Sequence, residues 1–497
     1  MPALRTTVPE TPDELVRRLT PRDDILVAEV EVSAGRFHCI GGAFSTWTRT
    51  VEHDGNEIVE TVTYRTAVPH WGRLMDQVLR RGARTRLAPG SNPWWAPARR
   101  LDAADSTIMG LCATLSMMTG FLGALGGLTM TYIAKDFGEN VAAQSVALAV
   151  IRAGAILTFM ALALADRAGR RPILRAVLIG SATAALLTAA SPNLAAVTAT
   201  QVVCRGLVAA AAFLLPVVCA EELPAHSRAY AIGIMAMSGG LGAGVVLWFL
   251  PIVDVASWAW RLIYLLAVPT IAVTLRTIRR LPETRRFIRD DHVPNERSVQ
   301  HVRRSRLVVL AVGLFLLSMF SAPSQQLQNE YLRSARGYSA TGVTLFLVLT
   351  NIWGGVGIVL GSRWADRRSR RATMALGLVG LAVGNSLMFT LSGAPMWMAS
   401  IVGSMVGAAV VPSLGALQPE LFPTLRRGTA NGFLNGLGVI GSITGLLVAG
   451  NFVVDDRYGP TMMVLAVGPL IVALMMGLLP ETAGRELEDL NPDDVAA

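Results

Sequence analysis

The chain has 497 residues, 52% of them hydrophobic and only 16% charged, with a mean hydropathy of +0.47. A soluble domain carries roughly 25% charged residues, so this composition belongs in lipid. The formal charge of +9 is almost all arginine, Lys135 being the only lysine, and it falls in short loops rather than on a nucleic-acid-binding surface.

Residues 1–25 are charged and lack a continuous apolar core, which argues against a cleaved signal peptide. Residues 1–100 read as a small cytoplasmic α+β module with a linker. Segments 25–32, 44–51 and 58–66 alternate apolar and polar as strands do. Asp54-Gly55-Asn56 is the turn between the last two, because Asp-Gly tolerates positive φ. Segment 71–81 follows as an amphipathic helix, and the arrangement resembles part of a helix-grip ligand-binding domain. Residues 83–100 read as a linker whose Trp94 and Trp95 suit the headgroup level.

From Ser106 onward, apolar runs long enough to cross a roughly 30 Å hydrocarbon core recur with short polar breaks. Spans are expected at 106–133, 142–165, 172–190, 194–218, 229–253 and 258–278, and again at 307–332, 340–365, 372–391, 396–419, 429–453 and 459–479. This makes an all-α polytopic membrane protein of twelve helices, with halves at 101–280 and 307–480. A central loop, 281–306, and a tail, 481–497, complete it. Arginine crowds the loops on one side, against Lys135, Arg333, Arg336 and Arg457 on the other. That bias places both termini, the module and the central loop in the cytoplasm of a cell with a bacterial-type inner membrane. Cys39, Cys112, Cys204 and Cys219 show neither a disulfide framework nor metal spacing, so no metal or other cofactor is expected. All six histidines fall outside the spans, which excludes a histidine proton relay within the membrane.

Three short signatures occur once in each half. Ala165-Asp166-Arg167-Ala168-Gly169-Arg170-Arg171 returns as Ala365-Asp366-Arg367-Arg368-Ser369-Arg370-Arg371. Glu221-x-x-Pro224-x-x-x-Arg228 returns as Glu420-x-x-Pro423-x-x-x-Arg427, and Leu281-Pro282-Glu283-Thr284 as Leu479-Pro480-Glu481-Thr482. Two parallel membrane-embedded halves place a solute site between them, near the bilayer midplane.

On these motifs, residues 106–485 resemble the major facilitator superfamily, and the Glu-x-x-Pro and Pro-Glu-Thr elements look closer to its sugar-porter and organic-ion branches. The resemblance implies alternating access to a cavity lined by the first, fourth, seventh and tenth spans. It also implies a cytoplasmic gate built from Asp166, Arg167, Gly169, Arg170, Arg171, Glu221, Arg228 and Glu283. Their repeats are Asp366, Arg367, Arg370, Arg371, Glu420, Arg427 and Glu481. Each Asp can face the positive end of a helix in the opposite half, and exposed ion pairs of roughly 0–1 kcal/mol each suit a reversible latch. The second copy departs from the pattern, with Ser369 in place of Gly169, and a looser second latch is expected. The alternative is that these arginines serve only topology and anionic lipid.

Ionisable residues inside a span are costly and are functional candidates by default. Arg205, followed by Gly206, and Arg152 lie deep in the fourth and second spans. The reading for Arg205 is a bidentate clamp on a solute carboxylate or an organiser of a coupling acid. The alternative is an arginine bonded to backbone carbonyls between helices. For Arg152 that alternative is the stronger one, because the second span is expected to lie against its neighbours. Gln325, Gln326 and Asn329 follow Pro323 in the seventh span, with Gln325 and Asn329 four apart and hence on one helix face. The first span has no acid, which leaves Glu330 as the candidate coupling residue and protons as a candidate coupling ion.

No catalytic constellation is present, and no enzyme or nucleic-acid partner is expected. The reading is a secondary transporter of a small polar or anionic organic solute, working as a monomer in the lipid bilayer. A membrane ligand sensor signalling through the module is the alternative.

Overall fold

The computed structural model describes residues 3–54, 57–84, 86–87, 100–223, 228–283, 304–422, 424–453 and 457–483. A five-stranded antiparallel sheet of order β1-β5-β4-β3-β2 opens the chain, formed by β1 (Ala3–Pro9), β2 (Val27–Ser33), β3 (Arg36–Gly42), β4 (Phe44–Asp54) and β5 (Glu57–Thr66). Helices α1 (Pro12–Leu19) and α2 (Gly72–Arg84) complete this module. The sequence reading found β2, β4, β5 and α2 but not β1, α1 or β3. β3 ends in Gly41-Gly42 and carries Arg, His and Cys among its apolar residues, so no clean alternation marks it.

Leu4, Val27, Phe44, Trp47, Val62, Tyr64 and Leu79 form the module's core. Arg49 is fully buried inside it. Its guanidinium donates to both oxygens of Glu29 at 2.7–3.0 Å and to Glu60 at 3.3 Å. Trp47 Nε1 also donates to Glu29, at 2.7 Å. A buried charge survives only when paired and fully hydrogen-bonded, and this cluster meets that condition.

Among the described residues, twelve helices are long and apolar enough to cross a membrane: spans 1 (Ala103–Asp136), 2 (Val141–Ala165), 3 (Arg170–Ala189), 4 (Leu194–Cys219), 5 (Tyr230–Asp254), 6 (Ser257–Arg280), 7 (Arg304–Ala335), 8 (Ala340–Gly361), 9 (Arg370–Thr390), 10 (Gly393–Gly415), 11 (Ala430–Phe452) and 12 (Tyr458–Leu478). The side chains of Asn140, Asn193, Ser339 and Ser369 accept backbone N–H bonds at the starts of spans 2, 4, 8 and 9. Trp248, Val464, Leu474 and Leu478 are each more than 70% exposed on the bundle. That is favourable only against lipid, so the protein is a multi-pass membrane protein.

Close helix approaches repeat in the two halves. Span 5 meets span 1 where Gly242 faces the Met117 carbonyl, and span 11 meets span 7 where Gly445 faces the Met319 carbonyl. The module docks on the first half. Trp71 Nε1 donates to Thr114 Oγ1 of span 1 at 2.9 Å, Thr107 Oγ1 donates to the Ala67 carbonyl, and His70 lies 3.4 Å from Thr277 Oγ1 of span 6. Burial, with Arg280 and Arg276 nearby, lowers the His70 pKa.

The hydrophobic cores report how the halves meet. At the end far from the module a single cluster joins them, running from Leu125 and Val253 through Phe320, Leu327 and Phe346 to Leu446. At the module end there are two separate clusters. One holds Leu111, Leu178 and Leu214 of the first half, the other Leu310, Leu378 and Leu434 of the second. Three polar ties add to the far-side seal. Asn329 Nδ2 donates to the Leu128 carbonyl at 2.9 Å, Thr344 Oγ1 donates to the Leu247 carbonyl, and Asp254 accepts from the backbone of Ala340 and Thr341 at 2.9 and 3.1 Å.

Candidate functional site: a central cavity holding two arginines

Between the halves lies a cavity of about 1050 Å³ lined by spans 2, 4, 7, 10 and 11. Four of its residues, Arg152, Arg205, Gln325 and Gln326, also line a smaller deep pocket of about 180 Å³ against Gly123, Gly126 and Gly127 of span 1. Among the described residues, neither lining contains Asp or Glu.

The two arginines owe their position to a glycine contact. Span 2 breaks after Arg152, its α-helix ending there and restarting at Ala155. A Cβ on Gly154 would lie 2.3 Å from the Val202 carbonyl, and one on Gly206 would lie 2.2 Å from the Gly154 carbonyl. Only glycine permits this approach of two backbones. Thr158 Oγ1 donates to the Gly206 carbonyl at 2.9 Å across the same crossing. With the helices held this close, Arg152 and Arg205 project into one space.

Arg205 Nη1 donates to the Gly123 carbonyl at 3.3 Å, a marginal bond that leaves most of its guanidinium to the cavity. Arg152 lines both spaces, contrary to the expectation that span 2 turns away, and its buried Nε has no hydrogen-bond partner in the structure. Gln326 Oε1 is likewise buried without one. The Arg-Gly pair of span 4 was legible in the sequence; its counterpart, Arg152-Ala153-Gly154, carries the same signal one residue longer.

The span 7 α-helix stops at Gln326 and restarts at Gln328; before the break Gln325 lines the cavity, while after it Asn329, 2% exposed, is committed to the far-side seal. Glu330 follows it, half-buried and outside both cavity linings. The cavity also takes residues that sequence reasoning did not single out, chiefly Phe159, Phe213, Gln418 and Asn431. A separate open cavity of about 1340 Å³ lies in the seam between the module and the first half, beside Tyr64, His70, Asp76 and Arg280.

At the module end, Glu283 accepts from the backbone N–H of Arg170 and Arg171 at 2.9 and 3.2 Å, and Arg171 Nε donates to the Ile278 carbonyl. Glu481 repeats this in the second half, accepting from Arg370 N at 2.9 Å, while Arg371 Nη1 donates to the Leu479 carbonyl. Each Pro-Glu-Thr glutamate therefore caps the third helix of its own half, where an anion suits the helix dipole. These bonds lie within the halves and do not join them. Gly169 joins spans 2 and 3 at φ +97, a conformation that a side chain strains. Ser369 occupies the equivalent position at φ −163, open to any residue, and its hydroxyl binds Glu481. The second copy thus has a serine–glutamate bond where the first has the glycine. The side chains of Asp166, Arg167, Glu221, Arg228, Asp366, Arg367, Glu420 and Arg427 lie outside the described residues.

Burial opposes ionisation of Glu481, but the Ser369 hydroxyl and the N–H groups of Ala483, Arg370 and Thr482 outweigh it and hold the carboxyl down to about 2. A lowered carboxyl pKa stabilises the fold above its unfolded value and loses that contribution as pH falls through the folded one. Wild type should therefore melt above Glu481→Gln at neutral pH, with the gap closing between about pH 5 and pH 2. A gap that persists at pH 2 would count against the cap.

The model of the Major Facilitator Superfamily matches residues 109–328 and 325–492, nearly all of the helical region. The chain belongs to the Major Facilitator Superfamily. It is 24% identical to the gallate transporter of Pseudomonas putida over 72% of this chain and 87% of that protein. It is 23% identical to the glucose transporter GlcP of Staphylococcus epidermidis over 74% and 95%. Its fold is that of the inward-open xylose transporter XylE from E. coli, at a TM-score of 0.65 and 16% identity, over 78% of this chain and 98% of that one. As a facilitator-superfamily protein with such relatives it is a secondary transporter of small solutes and not an enzyme. The matched region begins at residue 109 and leaves the module outside it.

Proposed function

We propose that the protein moves a small polar or anionic organic solute across the cell membrane by alternating access, with its termini and module in the cytoplasm. The observation that carries this reading is the central cavity. It holds Arg152, Arg205 and paired glutamines, has no acid among its described lining residues, and ends at a far side where the halves share one core. On this orientation the conformation is inward-open. Asn329 belongs to the outer seal and not to the solute contacts, which are Arg205, Arg152, Gln325 and Gln326. The relatives' named solutes are a carboxylated one and a neutral sugar. Two uncompensated guanidiniums favour the former.

The motif residues form the inner gate. In this conformation Glu283 and Glu481 hold their own halves rigid, and on closure the Asp166 and Asp366 side chains meet the opposite half. Glu330, on the outer side, is the candidate for proton coupling, and the working unit is the monomer. The test is flux into proteoliposomes for labelled carboxylates, sugars and organic cations, with and without a pH gradient. Wild type should accumulate one class, and Arg205→Ala should lower that flux by at least tenfold with its melting temperature kept. Undiminished flux in the variant would remove Arg205 from the mechanism. Stimulation by the gradient that Glu330→Gln abolishes would assign coupling.

A further inference from the structure

Resting on the reading of the central cavity as the solute site, we infer that the solute is a monocarboxylate with a ring-sized apolar body, bound carboxylate first. The cavity has two compartments of opposite character, and the four residues they share form the boundary.

The deep compartment, about 180 Å³, is sized for a head group. Its polar wall is Arg152, Arg205, Gln325 and Gln326, while Gln201 is already engaged, donating to Thr188 Oγ1 at 2.9 Å. Two guanidiniums side by side, with no carboxylate among the described lining residues and one buried Nε unpartnered, form a site suited to an anion. A carboxylate fits the planar donor forks of arginine. Its two oxygens accept from guanidinium and amide N–H groups at once, and Gly127, where a Cβ would meet only Gln326 at 3.9 Å, leaves room on the span 1 side.

The wide compartment differs from wall to wall. Spans 2 and 4 offer Phe159, Leu162, Phe213 and Val217, an apolar and partly aromatic surface directly beneath the arginines. Spans 7 and 11 face it with Ser318, Ser321, Asn431, Asn435 and Ser442. A sugar, polar all round, would waste the phenylalanine wall. A small dicarboxylate would place its second charge against that wall, where the described lining offers no cation. An aromatic or alicyclic acid uses both compartments, with one face on the phenylalanines and any hydroxyl substituents turned to the serines and asparagines.

The experiment is equilibrium binding to the purified full chain, followed by counterflow in proteoliposomes at pH 7.5 with protein-free vesicles as the leak control. The probes are benzoate, 4-hydroxybenzoate, benzamide, succinate and glucose. Benzoate or its hydroxylated analogue should bind, with benzamide weaker by about a hundredfold or more, because the neutral amide gives the guanidiniums no anion. Arg152→Gln should weaken binding of the acid at least tenfold. Phe213→Ala, a milder change away from the charges, should weaken benzoate several-fold. Equal binding of benzoate and benzamide, a preference for succinate or glucose, or no binding of either aromatic acid would overturn the inference. Acid binding without counterflow would uphold it and sink the transporter reading, so the two can fail separately.

Discussion

Gly206→Val is expected to drive spans 2 and 4 apart and to abolish transport. The new side chain would begin 2.2 Å from the Gly154 carbonyl oxygen and 2.9 Å from Leu157 Cβ. The first of these is backbone, which cannot rotate away, so the helices must separate. Overpacking typically costs about 1–3 kcal/mol, and a clash with main chain belongs at the top of that range. The functional loss should exceed the loss of stability, because separation also spreads Arg152 and Arg205. Gly233→Val is the control, since a Cβ there meets nothing within 4 Å in the same bundle. Melting temperature and solute flux should both fall for the first variant and hold for the second. Normal flux in Gly206→Val would show that the close crossing does not set the site.

Asp254→Ala is expected to open the far side. Asp254, at the end of span 5, caps the start of span 8 through the N–H groups of Ala340 and Thr341, and it pairs with Arg333 at 3.6 Å. Losing a helix cap costs about 0.5–2 kcal/mol, and the ion pair adds little because both groups are partly exposed. The cap ties the halves together only while the far side is shut. Removing it should raise the population open on that side by a factor of about 5–30, as about 1–2 kcal/mol in a two-state equilibrium dictates. Spin labels at Lys135→Cys and Arg457→Cys, in a background without the native cysteines, would report this as growth of a longer distance. An unchanged distribution would place the seal wholly in the shared hydrophobic core.

The helical region was legible because lipid imposes a simple code. Each span needs a long apolar run, and the positions of all twelve follow from that alone. The duplicated motifs gave the two halves for the same reason that the structure uses them, since Glu283 and Glu481 make equivalent bonds. The far-side ties were not legible, because a lone Asp254 in a loop has no spacing that points to the start of a helix far along the chain. The break at Ala153-Gly154, beside Arg152 in the cavity lining, was not legible, because no periodicity anticipates a break. In the module, β3 escaped because its burial depends on the strands beside it.

The docking contacts of the module, through Trp71, Ala67 and His70, all fall on spans 1 and 6. The module is therefore a passenger on one half. As the halves rock, its pose against the first half stays fixed while its distance to the second half changes with every cycle. A donor dye on the module and an acceptor at the start of span 9 would follow turnover without a label near the cavity. The same lever arm works in reverse. A small binder on the module would ride along harmlessly, whereas one bulky enough to touch the second half would brake the cycle from outside the membrane.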